Sequence, residues 1–317
     1  MKKIGLGILI IITALAISGI TTVATANSTP SHQGKPDLRK PVPSTDVELV
    51  KKTTLRGKPA GKGKPLPEGP SATGTLGQPI TGDKYAIVIG IADYPGIGND
   101  LKYTDEDAEE MINALTTVYG GFDGANIRDF IDKEGQGSVN ATRENIISAI
   151  QKIGSMARPE DEVVFFFSGH GGKGRALDGD KEAIDESIVV HDGNALVYLW
   201  DGELKQFFDE FQTSRIVFVF DSCVAGGMTD LAAPGRIINM ATTETGTAYE
   251  SDAWGNGQFT YYFVDEGMIG GLADTHDYAE IEGNESTTIE EAFDYAKAKS
   301  VNQIPTIKDL FTNDLLL

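Results

Sequence analysis

One cysteine, Cys223, stands in 317 residues, so the chain cannot build an intramolecular disulfide framework. Histidine is also sparse, at four residues. Basic residues are outnumbered, 27 against 47 acidic, for a net charge of −20. That balance argues against nucleic acid as a partner, because phosphate binding needs clustered Lys and Arg. It suits cationic substrates or bound cations, the plain alternative being a solvated acidic surface. Beyond the first 26 residues no stretch is apolar enough to cross a bilayer. Internal repeats and a phosphate-binding loop are missing as well.

What is present divides into three unequal parts. Residues 1–26 hold two lysines, then an uncharged apolar stretch closing on Ala24-Thr25-Ala26, a small-x-small cleavage pattern. The expectation is a secretory signal and a secreted or extracytoplasmic protein; an uncleaved anchor attached to the cell surface is the alternative. Residues 27–82 are rich in Pro, Gly, Lys, Ser and Thr, with 9 basic and 4 acidic residues and no hydrophobic period. They read as a flexible basic tether and a possible pro-segment. Residues 83–317 are long enough for one α/β domain, and of the total charge −27 falls there.

Within that domain strands and helices alternate. Residues 85–91, 126–131, 163–167, 216–220 and 236–241 read as strands, mostly unbroken apolar runs. Residues 104–119, 142–156, 258–266 and 288–300 read as helices, and Asp201 as the cap of another reaching residue 212. Residues 187–190 and 195–200 read as a small hairpin, and 304–310 as a last edge strand. The fold class is α/β, a doubly wound, mostly parallel sheet flanked by helices.

Two of the strands end abruptly in Phe167-Ser168-Gly169-His170-Gly171-Gly172 and Phe220-Asp221-Ser222-Cys223-Val224-Ala225-Gly226-Gly227. Ligands bind at that edge of an open α/β sheet. A thiol and an imidazole there make a nucleophile and its base, Cys223 and His170. Backbone N–H groups of Gly171 and Cys223 are the natural oxyanion donors at such tight turns. Taken singly, a lone Cys after a strand can be an inert small hydrophobe, and a lone His structural. Asp221, two residues before Cys223, shares its strand-end face and would hold a guanidinium or ammonium.

Ser168-Gly169-His170-Gly171 and Asp221-Ser222-Cys223, 53 residues apart from His to Cys, resemble the two catalytic boxes of the caspase superfamily. The likeness is closest to metacaspases and their prokaryotic relatives, whose box reads Asp-Ser-Cys-His-Ser-Gly; Val224-Ala225 replace His-Ser here. Leu101 to Met111 is similar to the family's first motif, with Thr104 in place of its Cys. The resemblance implies a caspase-like fold and a cysteine endopeptidase cleaving after Arg or Lys. It implies a pocket lined by Asp107, Ser168 and Asp221, and a calcium site at Asp185, Asp201 and Asp230, with Gly202 where a fourth ligand usually stands. Taken alone, Asp107 can equally be a helix first-turn acid and Asp201 an ordinary N-cap.

The expectation is a monomeric peptidase acting on proteins or peptides with Arg or Lys before the scissile bond. It needs no cofactor for chemistry, with Ca²⁺ as a possible stimulator. It would be kept as a zymogen by the tether in the acidic cleft and processed at Arg56, Lys62 or Arg236. Rival readings are an inactive caspase-like binding domain and a clostripain- or legumain-like protease of other specificity.

Overall fold

The computed structural model describes residues 40–57, 70–179, 181–274 and 287–317. The expected signal and Lys62 lie outside them. Along the chain come β1 (Ser44–Val50), β2 (Thr53–Leu55), β3 (Lys84–Ile91), α1 (Thr104–Asn113) and β4 (Ile127–Asp132). Then follow α2 (Arg143–Met156), β5 (Glu162–Ser168), β6 (Gly171–Ala176), β7 (Asp185–His191), β8 (Leu196–Trp200) and α3 (Asp201–Phe208). The last part holds β9 (Ile216–Asp221), β10 (Arg236–Met240), β11 (Tyr249–Ser251), β12 (Asn256–Gly257), α4 (Gln258–Thr260), α5 (Ile289–Lys299) and β13 (Thr306–Asp309). Wider π-helical turns prolong α1 through Tyr119 and α4 through Ile269.

The central sheet runs β13-β10-β9-β5-β3-β4, parallel except for β13. Its strands are apolar on both faces, and the two-residue period of a strand deals their side chains into two cores. Val163, Phe165 and Phe167 join α2 and α3 on one face; Val164 and Phe166 join α1 and α5 on the other. Helices on both faces make the fold doubly wound, as the alternation of elements predicts. Burying each such Phe contributes about 1.5–3 kcal/mol. Gly90 lets α1 sit hard on the sheet, since a Cβ there would fall 2.3 Å from the Thr104 carbonyl oxygen. The Thr104 hydroxyl donates to the Ile91 carbonyl at 2.6 Å, pinning the helix start beside the end of β3.

The structure departs from the sequence expectation in the tether. Residues 40–57 and 70–82 belong to the folded unit, so residue 83 is no boundary. β1 pairs with β6 in a four-stranded sheet, β1-β6-β7-β8, and β2 pairs with β11. Ser71 and Ala72 N–H groups donate to Asp294, and Thr73 and Gly74 to Asp314. Backbone pairing and carboxylate cradles hold these residues, not an apolar face, so no hydrophobic period marks them. The helix beginning at Asp201 is also shorter than expected, ending at Phe208. Among the described residues no helix is long and apolar enough to cross a membrane.

Candidate active site

Parallel pairing sets Ser168 beside Asp221 at the C-terminal ends of β5 and β9. His170 and Cys223 follow two residues later on each strand. Their loops touch: a Cβ on Gly171 would fall 2.0 Å from the Cys223 carbonyl oxygen, so only glycine fits there. Val224, next to the nucleophile, sits in the left-handed region at φ 53°. For a β-branched residue this is strained, of order 1–3 kcal/mol, and the turn after Cys223 imposes it.

The orientation of His170 is fixed on three sides. Its Nε2 lies 2.8 Å from the Asn99 carbonyl oxygen, which can only accept, so Nε2 carries the proton. Its Nδ1 is therefore the lone pair, and it accepts the backbone N–H of Lys52 at 3.0 Å. Tyr94 packs its ring 4.8 Å from the imidazole, accepts the His170 N–H at 3.0 Å and donates to the Val189 carbonyl. Burial, with Lys51 and Lys52 nearby, pushes His170 down to about 4 despite the Asn99 contact. Burial pushes the Cys223 thiol up to about 11, against the N–H of Ala248 that donates to Sγ at 3.2 Å. At neutral pH the resting pair is a thiol and a neutral imidazole.

Beside the pair is an acidic pocket, and a lysine of this chain fills it. The Lys52 ammonium lies 3.0 Å from Asp221 Oδ1, 3.4 Å from Asp107 Oδ2 and 3.0 Å from Ser168 Oγ, with all of it buried. Thus Asp107, Ser168 and Asp221 meet around one cation. Each acid is held from behind. Gly257 N–H donates to Asp107 Oδ1 at 2.8 Å, Ser168 Oγ donates to Asp107 Oδ2 at 2.5 Å, and Thr260 donates to Asp221 Oδ2 through N–H and hydroxyl. Burial works against the Lys52 charge, but Asp221, Asp107 and Glu250 outweigh it and raise its pKa. Asp107 is lifted to about 7 by burial, which Lys52 opposes and Asp221 reinforces. Two buried carboxylates facing one ammonium leave a surplus negative charge that a proton on Asp107 relieves.

Sequence reasoning missed Lys52, Asn99, Tyr94, Gly257, Thr260 and Glu250. Glu250 is buried and accepts the Lys102 and Tyr103 N–H groups and the Thr54 hydroxyl. Asn99 and Gly257 act through backbone groups, as Lys52 and Thr260 do in part, and residue identity does not announce these. Lys52 is one lysine in a lysine-rich stretch.

Of the three expected calcium ligands, Asp185 and Asp201 come together, and the third carboxylate with them is Asp178; their oxygens lie within 4.8 Å of one another. Asp230 is not in this group. Asp201 is the first helical residue of α3, after Trp200 as N-cap, and its Oδ1 accepts the Gly202 N–H at 2.9 Å. Arg236, expected as a processing site, is a structural residue. It is buried at the start of β10, and its guanidinium binds Asp209 and the Leu231 and Phe208 carbonyls. A protease cannot engage such a backbone without unfolding the sheet. Arg56 is exposed, beside Gly57, whose N–H donates to Asp252 at 2.8 Å.

Residues 84–232 match the family model of the metacaspase, peptidase C14 domain. Over these residues the chain is similar to the metacaspases of the caspase superfamily. It is 35% identical over 155 residues to Metacaspase-1 of Candida glabrata, covering 48% of this chain and 39% of the relative. To Metacaspase-1 of Saccharomyces cerevisiae it is 32% identical over 190 residues, covering 57% and 43%. The chain thus spans about two fifths of the length of these relatives. A crystal structure of a Geobacter sulfurreducens protein matches 74% of this chain and 95% of its own, with TM-score 0.53 and 17% identity, a likeness of fold alone.

Proposed function

We propose that this metacaspase-like protein is a cysteine endopeptidase cutting protein or peptide chains after Lys or Arg. The observation that carries it is the buried ammonium between Asp107 and Asp221, next to His170 and Cys223. A cation held this way fixes the residue before the scissile bond. Arginine would offer the same carboxylates a two-pronged fork.

In the first step the Cys223 thiol gives its proton to His170 Nδ1, and the sulfur adds to the substrate carbonyl carbon. The oxyanion is held by N–H donors, for which Gly171 and Cys223 are the candidates. As the tetrahedral adduct collapses, the Nδ1 proton goes to the leaving amine, and a thioester remains. Water, deprotonated by His170, then releases the acid and restores the thiol. Asn99 keeps Nε2 protonated throughout, so Nδ1 does the work.

The test is a peptide panel varying only the residue before the scissile bond, run on wild type and on Cys223→Ala. Cleavage after Lys and Arg, lost in the variant, is expected. Cleavage that survives Cys223→Ala, or a preference for Asp, overturns the reading.

Three finer parts belong to this proposal. Calcium would be held by Asp178, Asp185 and Asp201, hard oxygen donors that separate segments bring together. Secretion rests on residues 1–26 and is checked by the N-terminus of the exported protein. Self-processing after Arg56 or Lys62, beyond the segment in the cleft, is checked by comparing the N-termini of wild type and Cys223→Ala by mass spectrometry.

A further inference from the structure

We infer that residues 51–55 lie in the cleft in the opposite chain direction to a substrate, so that Lys52 plugs the active site without being cut there. This rests on the peptidase reading above and names the regulation of that site.

The nitrogen that faces the base sets the chain direction. With a lysine in the acidic pocket, the bond to be cut is the one on its carbonyl side. The nitrogen that His170 must protonate then belongs to the following residue. At Nδ1 stands the nitrogen of Lys52 itself, 3.0 Å away, on the amino side of the pocket residue. The acyl partner of that nitrogen is Lys51, whose side chain is exposed and donates to the Gly98 carbonyl at 2.8 Å, away from the pocket. Neither the bond before Lys52 nor the bond after it joins a pocket lysine to a nitrogen at His170.

The strands say the same independently. A pocket residue has two backbone arms, one towards the catalytic pair and one along β11. A substrate must send its carboxyl arm to the pair and its amino arm along β11. Here the amino arm leads from β1, whose Val50 pairs with Gly171 beside His170. The carboxyl arm, Thr53–Leu55, runs along Tyr249–Ser251 in parallel, and Thr53 N–H donates to the Ala248 carbonyl at 3.0 Å. The plug therefore uses the substrate's anchor, the cation, with the reacting bond replaced by a hydrogen bond that ties up Nδ1.

The experiment uses the full chain without residues 1–26, as wild type, Lys52→Ala and Thr53→Pro. The proline variant loses the donor to Ala248 and leaves the pocket residues untouched, which covers failure of Lys52→Ala to fold. Three readouts are taken: hydrolysis of a lysyl peptide, iodoacetamide alkylation of Cys223, and mass spectrometry of the chain and of an added peptide of residues 48–56. Expected are at least tenfold faster hydrolysis and alkylation in the variants, and competitive inhibition of the open variant by the peptide. The Lys52–Thr53 bond should stay intact in chain and peptide. A new N-terminus at Thr53 that is absent in Cys223→Ala, or equal alkylation rates in all three proteins, overturns the inference. If no protein hydrolyses the peptide while the variants alkylate faster, the plug stands and the peptidase reading fails.

Discussion

Gly257 lies so close to Asp221 that a Cβ on it would come within 2.3 Å of the carboxylate Oδ2, and within 2.5 Å of the Lys52 ammonium. The pocket has room for a cation because this position has no side chain.

Gly257→Ala is accordingly expected to exclude the cation while leaving the catalytic pair in place. In an opened background such as Thr53→Pro, kcat/KM for lysyl peptides should fall by roughly 10²-fold, as losing one or two hydrogen bonds to a charged group costs about 1.5–3 kcal/mol each. Alkylation of Cys223 by a small electrophile should persist. Equal kcat/KM in the two proteins would show that the acids do not hold the substrate.

Cys223→Ala and His170→Ala, each in the opened background, should reduce kcat by about 10⁴-fold or more, and the double variant should be no worse than either, since nucleophile and base act as one unit. Steady-state kinetics of the three proteins checks this. Additive losses would mean that the two groups work separately.

The pair was legible in the sequence because buried parallel strands are written as continuous apolar runs, and the loops carrying His170 and Cys223 interrupt them sharply. Asp221 was legible from its place two residues before Cys223 at the end of a strand, whereas Asp107 was legible only through the resemblance, since first-turn helix acids are common. β1 and β2 were not legible. Their residues are mostly exposed or half-buried, and β1's partner strand β6 begins with glycines, so neither side shows a period. Asp178, the third carboxylate beside Asp185 and Asp201, was not singled out because it follows β6, a strand the sequence does not announce.

Stability should vary with pH in a way set by buried acids. Burial raises Glu203 to about 7, and Glu186 to about 8, where neighbouring carboxylates add to it. Groups raised on folding stabilise below their unfolded value and lose that contribution as pH climbs through the folded one. His170 runs the other way: lowered to about 4, its contribution is full above about 6.5 and is lost as pH falls towards 4. Thermal melts in chelator should show a maximum on the mildly acidic side and a falling Tm between pH 6 and 8. A Tm that climbs over that range would contradict these shifts.

Calcium should raise the Tm at pH 7–8, because it would neutralise the Asp178, Asp185 and Asp201 group. Asp178→Asn should abolish the increment and Asp230→Asn should leave it. The reverse pattern, read by calorimetry with and without the metal, would move the site to Asp230.

The plug is also a counter-ion. Asp107 and Asp221 are wholly buried, and Lys52 is the cation set between them. When the segment leaves, the pocket loses its ammonium, and removing one partner of a buried pair typically costs 3–5 kcal/mol. The opened enzyme is then a less stable protein that recovers part of its folding free energy from whatever cation enters next. Substrate, released lysyl product or a proton on Asp107 each fills that role. Substrate binding, product retention and the durability of the active form are for this reason linked equilibria sharing two carboxylates.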